Sequence, residues 1–453
     1  MMRLPDPQGI ERAMTLSRDG ASEPSRVPSR APGVPGGIER WGRLTEIGPT
    51  LLKAHLPQVG LGELCVLEPE RTLAEVVGIE HEIALLSPFS EPVGVRCGQL
   101  VKALGTGHRV PVGDHLIGAI VDGLGRPLGG LTVPPDCESR ALDAEAPDPL
   151  TRQIIDTPLP LGVRAIDGVL TCGRGQRIGI FAAAGGGKST LLGMMCDGSL
   201  ADIVVLSLVG ERGREVREFL EHVLTPESRK RAVIVVATSD RPALERLKAV
   251  YTATTIAEYF RDQGLNVLLM VDSLTRLARA GREIGLAAGE PPAAGGFPPS
   301  VFARLPRLLE RAGCAARGSI TGIYTVLVEG DNMNEPIADE VRSILDGHIV
   351  LSRKLGEANH FPAIDVNASV SRVMGQITDS RHRQLAGKLR SLLARYREIE
   401  LLVRVGEYQR GNDLDADEAL DRYPALLEFL RQGRDEKTGY EDTIEALAEA
   451  VDE

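Results

Sequence analysis

The sequence predicts an α/β protein built on a mostly parallel sheet, with a small β-barrel before it and a helical segment after it. Three observations carry this. Between about 106 and 372, short and nearly continuous apolar runs alternate with helical stretches. A glycine-rich turn, "FAAAGGGKST" (Phe181–Thr190), joins one apolar run to a helix. From about 373 onward, apolar residues recur at helical spacing. Buried strands separated by helices are the mark of a parallel sheet covered on both faces.

Residues 1–38 are rich in Pro, Ser, Arg and Gly ("SEPSRVPSRAPGVPGG") and bury little apolar surface, which predicts a disordered leader. Residues 39–105 change character. "GRLTEIGPTLLKAHL" and "AEVVGIEHEIALLSP" set short apolar pieces between glycines, the signal of closely spaced strands. The α/β segment, 106–372, places strands at "QRIGIFAAA", "DIVVLSLVG", "AVIVVATSD", "NVLLMVDS", "SITGIYTVLV" and "GHIVLSRKL". Within it, Gly281–Ser300 is rich in Gly, Pro and Ala and reads as a loop, either a solvated connector or a segment moving at a subunit interface. The segment 373–453 reads as helices, at "RQLAGKLRSLLARYREIELLVRVG", "ADEALDRYPALLEFLRQG" and the acidic "EDTIEALAEAVDE".

Composition narrows the function. The 453 residues carry 52 basic and 63 acidic side chains, a formal charge of −11. A nucleic-acid binder usually shows a basic excess, so no nucleic acid is expected as partner. No run of 18 apolar residues marks a membrane span. Six scattered cysteines form no CxxC and read as buried thiols of a reducing compartment, which places the chain in the cytoplasm.

Four motifs carry chemistry. The first is the opening turn. Strand, glycine loop and helix in that order aim backbone N–H groups and a helix N-terminus at phosphates. Gly185, Gly186 and Gly187 let the backbone approach. Lys188 supplies a charge near the β- and γ-phosphates of ATP, Ser189 offers a hydroxyl to Mg²⁺, and Thr190 opens the helix beside them. Ala182 stands where the GxxxxGK[ST] pattern has its first glycine, and a positive φ there would cost about 1–2 kcal/mol. The second motif is "LNVLLMVDS", a buried strand ending in Asp272, where a carboxylate can hold the magnesium shell. The third is "LVGERGREVREF", where Glu211 follows a strand end and could polarise an attacking water, or could be one more surface acid. The fourth is "NHFPAIDVNASVSRVMGQ". Arg372 could stabilise phosphoryl charge in trans and Phe361 could stack on adenine, although alone each also reads as an ordinary surface or core residue.

Together these stretches, with "PVGDHLIGAIVDGLGRPLGG", "VDSLTRLARAGREIGLAAGEPP" and "FPPSVFARLPRLLERAG", resemble the catalytic subunits of rotary-type ATPases, and among them the type III secretion ATPases, over roughly 39–453. The resemblance implies a RecA-like P-loop core between the barrel and the helical domain. It implies that Glu211 activates water, Arg212 contacts the γ-phosphate, Lys188 and Ser189 form the phosphate-loop pair, and Asp272 stands at the Mg²⁺. Arg372 matches the finger that enters a neighbouring subunit's site, and Phe361 stands where rotary subunits carry Tyr. One chain holding both Glu211 and Arg372 can complete every site of a homohexamer. The implied partners are stalk and stator proteins and chaperone–cargo complexes, at the cytoplasmic face of the inner membrane. The wording "GEYQRGND", with "LTCGRGQRIGIF" and "LGMMCDGS", points to the injectisome form over the flagellar one. The catalytic subunit of an ATP synthase or ion pump, a hexameric nucleic-acid translocase and a non-catalytic ring component are the alternatives.

Overall fold

The computed structural model describes residues 39–130, 132–183, 185–329 and 332–452; the leader expected over 1–38 lies outside them. Six antiparallel strands close into a barrel in the order Arg40–Ile47, Leu52–His55, Ile83–Pro88, Thr72–Glu80, Glu63–Glu68, Leu100–Gly107. Its interior is small and aliphatic: Leu52, Ala54, Cys65, Leu67, Ala74, Ala84, Leu86 and Val101 are sealed from solvent. Alternation produces this, since every second residue of a strand faces inward. The closing strand ends at Gly107, inside the stretch assigned above to the α/β segment.

The central sheet has nine strands. Along its main path the order is Val370–Ser371, Gly347–Leu351, Arg177–Ala182, Ser319–Leu327, Asn266–Asp272, Ile203–Val209, Ala232–Ala237, Ile120–Asp122. All the long strands run parallel; only the two-residue strands Val370–Ser371 and Gly313–Cys314 run against their neighbours. The inner strands are buried on both faces, as their nearly continuous apolar runs require. On one face Val205, Val235, Leu269 and Ile320 pack under helices Ala243–Asp262, Leu274–Ala287 and Pro299–Leu309. On the other, Val204, Ile180, Leu268 and Ile349 meet helix Lys188–Gly198 and the C-terminal helices.

The expected loop at Gly281–Ser300 is shorter than the sequence suggests. Helix Leu274–Ala287 runs through its first third, because Ile284 and Gly285 continue the buried face set by Leu277, Ala278 and Gly281. The next helix begins at Pro299, with Pro at its first position where no N–H is needed.

Three helices finish the chain, Ser380–Val405, Leu414–Leu430 and Tyr440–Asp452. The first is capped by the Asp379 carboxylate and stops at Gly406, which takes φ +78. Their buried side chains, among them Leu389, Leu426, Phe429 and Leu447, are continuous with the sheet's own core. A Cβ on Gly168 would lie 2.9 Å from the Phe429 ring, so the helical domain seats closely on helix Arg164–Val169. No helix among the described residues is long and apolar enough to cross a membrane.

Candidate functional site

Parallel strands all end at the same edge of the sheet, and the loops there gather the site. Strand Arg177–Ala182 leads into the glycine loop and helix Lys188–Gly198. Ala182 is the last residue of the strand, wholly buried, paired with Leu327 on one side and Leu351 on the other. The left-handed positions fall instead at Gly185 (φ +82) and Gly187 (φ +80), where glycine carries no steric penalty. The alanine therefore costs the loop nothing. Ser189 and Thr190 are exposed in the first helical turn, beside the loop.

Adjacent strands deliver the acids. Asp272 ends strand Asn266–Asp272, and Glu211 follows the end of strand Ile203–Val209. Lys188 Nζ is bonded to Asp272 Oδ1 and lies 3.6 Å from Glu211 Oε1. The three side chains are largely shielded from solvent, at 12%, 3% and 12% exposure, so their attraction is weakly screened. Burial raises the Glu211 carboxyl above its ordinary range, Asp272 pushes it further, and Lys188 and Arg276 oppose the rise. A carboxylate of raised pKa is the stronger base. Ser189, Glu211, Glu215 and Asp272 line one cleft in front of this cluster.

Two side chains complete the cluster without having been singled out in the sequence. Arg276, in the first turn of the helix after Asp272, places Nη2 2.8 Å from Glu211 Oε2 and bonds the Gly210 carbonyl. Thr325 donates its hydroxyl to Asp272 Oδ1 at 2.8 Å. A hydroxyl in the apolar run "SITGIYTVLV" was the available signal for Thr325; Arg276 had none beyond its closeness to Asp272.

The remaining candidates are placed differently. Phe361 is 44% exposed, and a Cβ on Gly187 would lie 3.6 Å from its ring. A bare aromatic face thus stands next to the phosphate loop. Arg212 points to solvent and pairs with Glu215 at 3.2 Å, apart from the Lys188 cluster. Arg372 is exposed at the opposite end of the sheet. Its N–H donates to the Asp346 carbonyl, and Asp346 in turn donates to the Arg177 carbonyl. Arg177 begins the strand that Ala182 ends. At ~3.3 Å per residue Arg372 is offset by ~16 Å along the strand direction from the loop of its own chain.

A loop fitted to phosphates, a lysine between two acids and an aromatic wall describe a nucleotide site. Residues 162–371 match the model of the "ATP synthase alpha/beta family, nucleotide-binding domain", and 378–449 match the "T3SS EscN ATPase C-terminal domain". The SPI-2 type 3 secretion system ATPase of Salmonella typhimurium is 59% identical over 419 residues, 92% of this chain and 96% of that protein. The flagellum-specific ATP synthase of Bacillus subtilis is 50% identical over 414 residues, 90% of this chain and 94% of that protein. The solved structure of the assembled ATPase EscN from enteropathogenic E. coli superposes with a TM-score of 0.88 at 56% identity, covering 90% of this chain and all of that one. The same ATPase in complex with its central stalk EscO gives 0.85 at 55% identity, with the same coverage. With this identity sustained over nine-tenths of its length, the chain belongs to the type 3 secretion system ATPase family and is an ATP hydrolase.

Proposed function

We propose that this chain hydrolyses MgATP at sites shared between successive copies of itself, in a homohexamer that drives protein export through a type III secretion apparatus. One observation carries the reading: Lys188, Glu211 and Asp272 meet in a shielded cleft in front of the phosphate loop. The loop glycines and Lys188 bind the β- and γ-phosphates. Phe361 stacks on adenine and sets the depth of the base. Glu211, held in orientation by Arg276 and raised in pKa by burial, accepts the proton of the attacking water. Arg212 reaches the γ-phosphate by leaving Glu215.

The residues present fit a magnesium ion: the Ser189 hydroxyl and the Asp272 carboxylate are hard oxygen donors that line the same cleft and would hold it. When bound, the ion neutralises charge on the β- and γ-oxygens. Arg372, far from its own loop, serves the neighbouring copy's site, and this supports a ring in which every interface is alike.

The export role comes from the relatives. The EscN complex supports a central stalk as partner here, and stator and chaperone–cargo complexes complete the proposal, with the ring in the cytoplasm at the inner face of the membrane. The flagellar export ATPase is the second reading, favoured by 50% identity to the Bacillus protein, below the 59% of the SPI-2 ATPase.

Purified Glu211→Gln protein tests the catalytic assignment. Its ATPase rate should fall by about 100-fold or more while nucleotide binding persists. A wild-type rate would remove Glu211 from the mechanism.

A further inference from the structure

Gln432 follows helix Leu414–Leu430, is 5% exposed, and spreads four hydrogen bonds over three different parts of the chain. Its backbone N–H donates to the Phe361 carbonyl at 2.9 Å. Its side-chain amide donates to the Gly162 carbonyl and to the Glu436 carbonyl, both at 2.9 Å, and accepts from the Arg164 N–H at 2.8 Å. Gly162 is itself pressed against the phosphate-loop helix: a Cβ there would sit 2.6 Å from the Gly198 Cα at that helix's end. Arg164 reinforces the junction by donating to the Phe429 carbonyl at 3.0 Å and by pairing with Glu436. A single buried residue thus joins the aromatic wall beside the loop, through its backbone, to the turn under the phosphate helix and the linker between the last two helices, through its side chain.

We propose that Gln432 is a positioning residue that holds Phe361 at its distance from the phosphate loop, and so couples the seating of the C-terminal helices to affinity for the nucleotide base. This rests on the reading of Phe361 as the base-stacking ring. The physical reason is geometric. The Phe361 carbonyl has its partner only where the Gln432 N–H is placed, and that N–H is placed by three side-chain bonds to elements that do not touch the base. Displacing the C-terminal helices moves the linker 431–436, and Phe361 moves with it. The triphosphate cradle lies at the opposite end of the phosphate-loop helix, at Lys188, whereas the junction meets that helix at Gly198.

The test separates base from phosphate. Gln432→Met keeps length and burial and removes the three side-chain bonds. Gln432→Asn keeps a neutral amide but shortens it out of reach of these partners, and it serves where the first variant folds poorly. Binding of ATP and of inorganic tripolyphosphate is measured in the same magnesium buffer for the full chain. The expected result is about tenfold weaker ATP binding with tripolyphosphate affinity within about twofold of wild type, and a KM for ATP that rises more than kcat falls. Combining Gln432→Met with Phe361→Ala should weaken ATP binding no further than Phe361→Ala alone, since both act on one contact. Equal loss for ATP and tripolyphosphate, or no loss for either, would overturn the proposal. Phe361→Ala with unchanged ATP affinity would remove the stacking reading itself. A weakened Phe361→Ala beside an unchanged Gln432→Met would remove only the positioning role.

Discussion

At the scale of single residues, the phosphate loop separates two glycine positions that look alike in a pattern. Ala182 is strand, buried and paired on both sides, so a methyl group belongs there. Ala182→Gly should lower stability by about 0.5–1 kcal/mol, read by denaturant unfolding, with ATPase activity kept. Gly187 is left-handed and faces Phe361, so Gly187→Ala should cost about 1–2 kcal/mol and reduce nucleotide binding as well. The cradle was legible in the sequence because strand, loop and helix are consecutive. Arg276 was not, because its partner Glu211 is brought to it from another strand.

At the scale of elements, the barrel is joined to the α/β core through buried polar groups. Lys248, on helix Ala243–Asp262, reaches Glu75 of the barrel at 2.8 Å, with both side chains under a tenth exposed. Lys248→Met should destabilise by about 3–5 kcal/mol, since it strands a buried carboxylate. Adding Glu75→Leu should recover much of that loss in the same unfolding measurement. His108 sits at the same junction, next to Phe89, with its Nε2 bonded to the Leu124 carbonyl at 3.1 Å and Nδ1 without a partner among the described residues. Burial lowers its pKa from 6.5 to about 4; Lys248 and Arg126 lower it too, while the Leu124 bond and Asp122 oppose them. Below 6.5 the unfolded chain takes up a proton that the folded chain refuses. Stability should therefore fall as pH drops from 6.5 towards 4, and His108→Phe should flatten that part of the stability–pH curve. Neither contact could be read from local pattern, because each pairs residues well separated in the chain.

At the scale of the whole molecule, Arg372 and the phosphate loop occupy opposite ends of the same sheet. A site that uses both needs two copies. Lys188→Ala and Arg372→Ala proteins should each be nearly inactive alone. Mixed one to one before assembly, they should regain about a quarter of wild-type activity, because that fraction of interfaces joins an intact loop to an intact arginine. ATPase assay of the mixture against each variant alone reads this directly, and no recovery would mean that Arg372 does not act across the interface.

Sequence alone was enough for the α/β core, the barrel before it, the helices after it, and the places of Lys188 behind a glycine loop and Asp272 at a strand end; Glu211 stayed open between a catalytic and a surface acid until the resemblance was weighed. Those features are written locally, in strand runs, helical spacing and a loop whose residues are consecutive. The tertiary structure decided what local spacing leaves open. Ala182 is harmless because the strand continues through it, and the loop after helix Leu274–Ala287 is short because a buried helical face outweighs its glycines. Arg276 and Thr325 hold the two acids by hydrogen bonds, and Gln432 ties Phe361 to the segment between the last two helices. The physical reason is the same throughout: these contacts join segments distant in sequence, and only packing of the whole sheet with its helices fixes their distances.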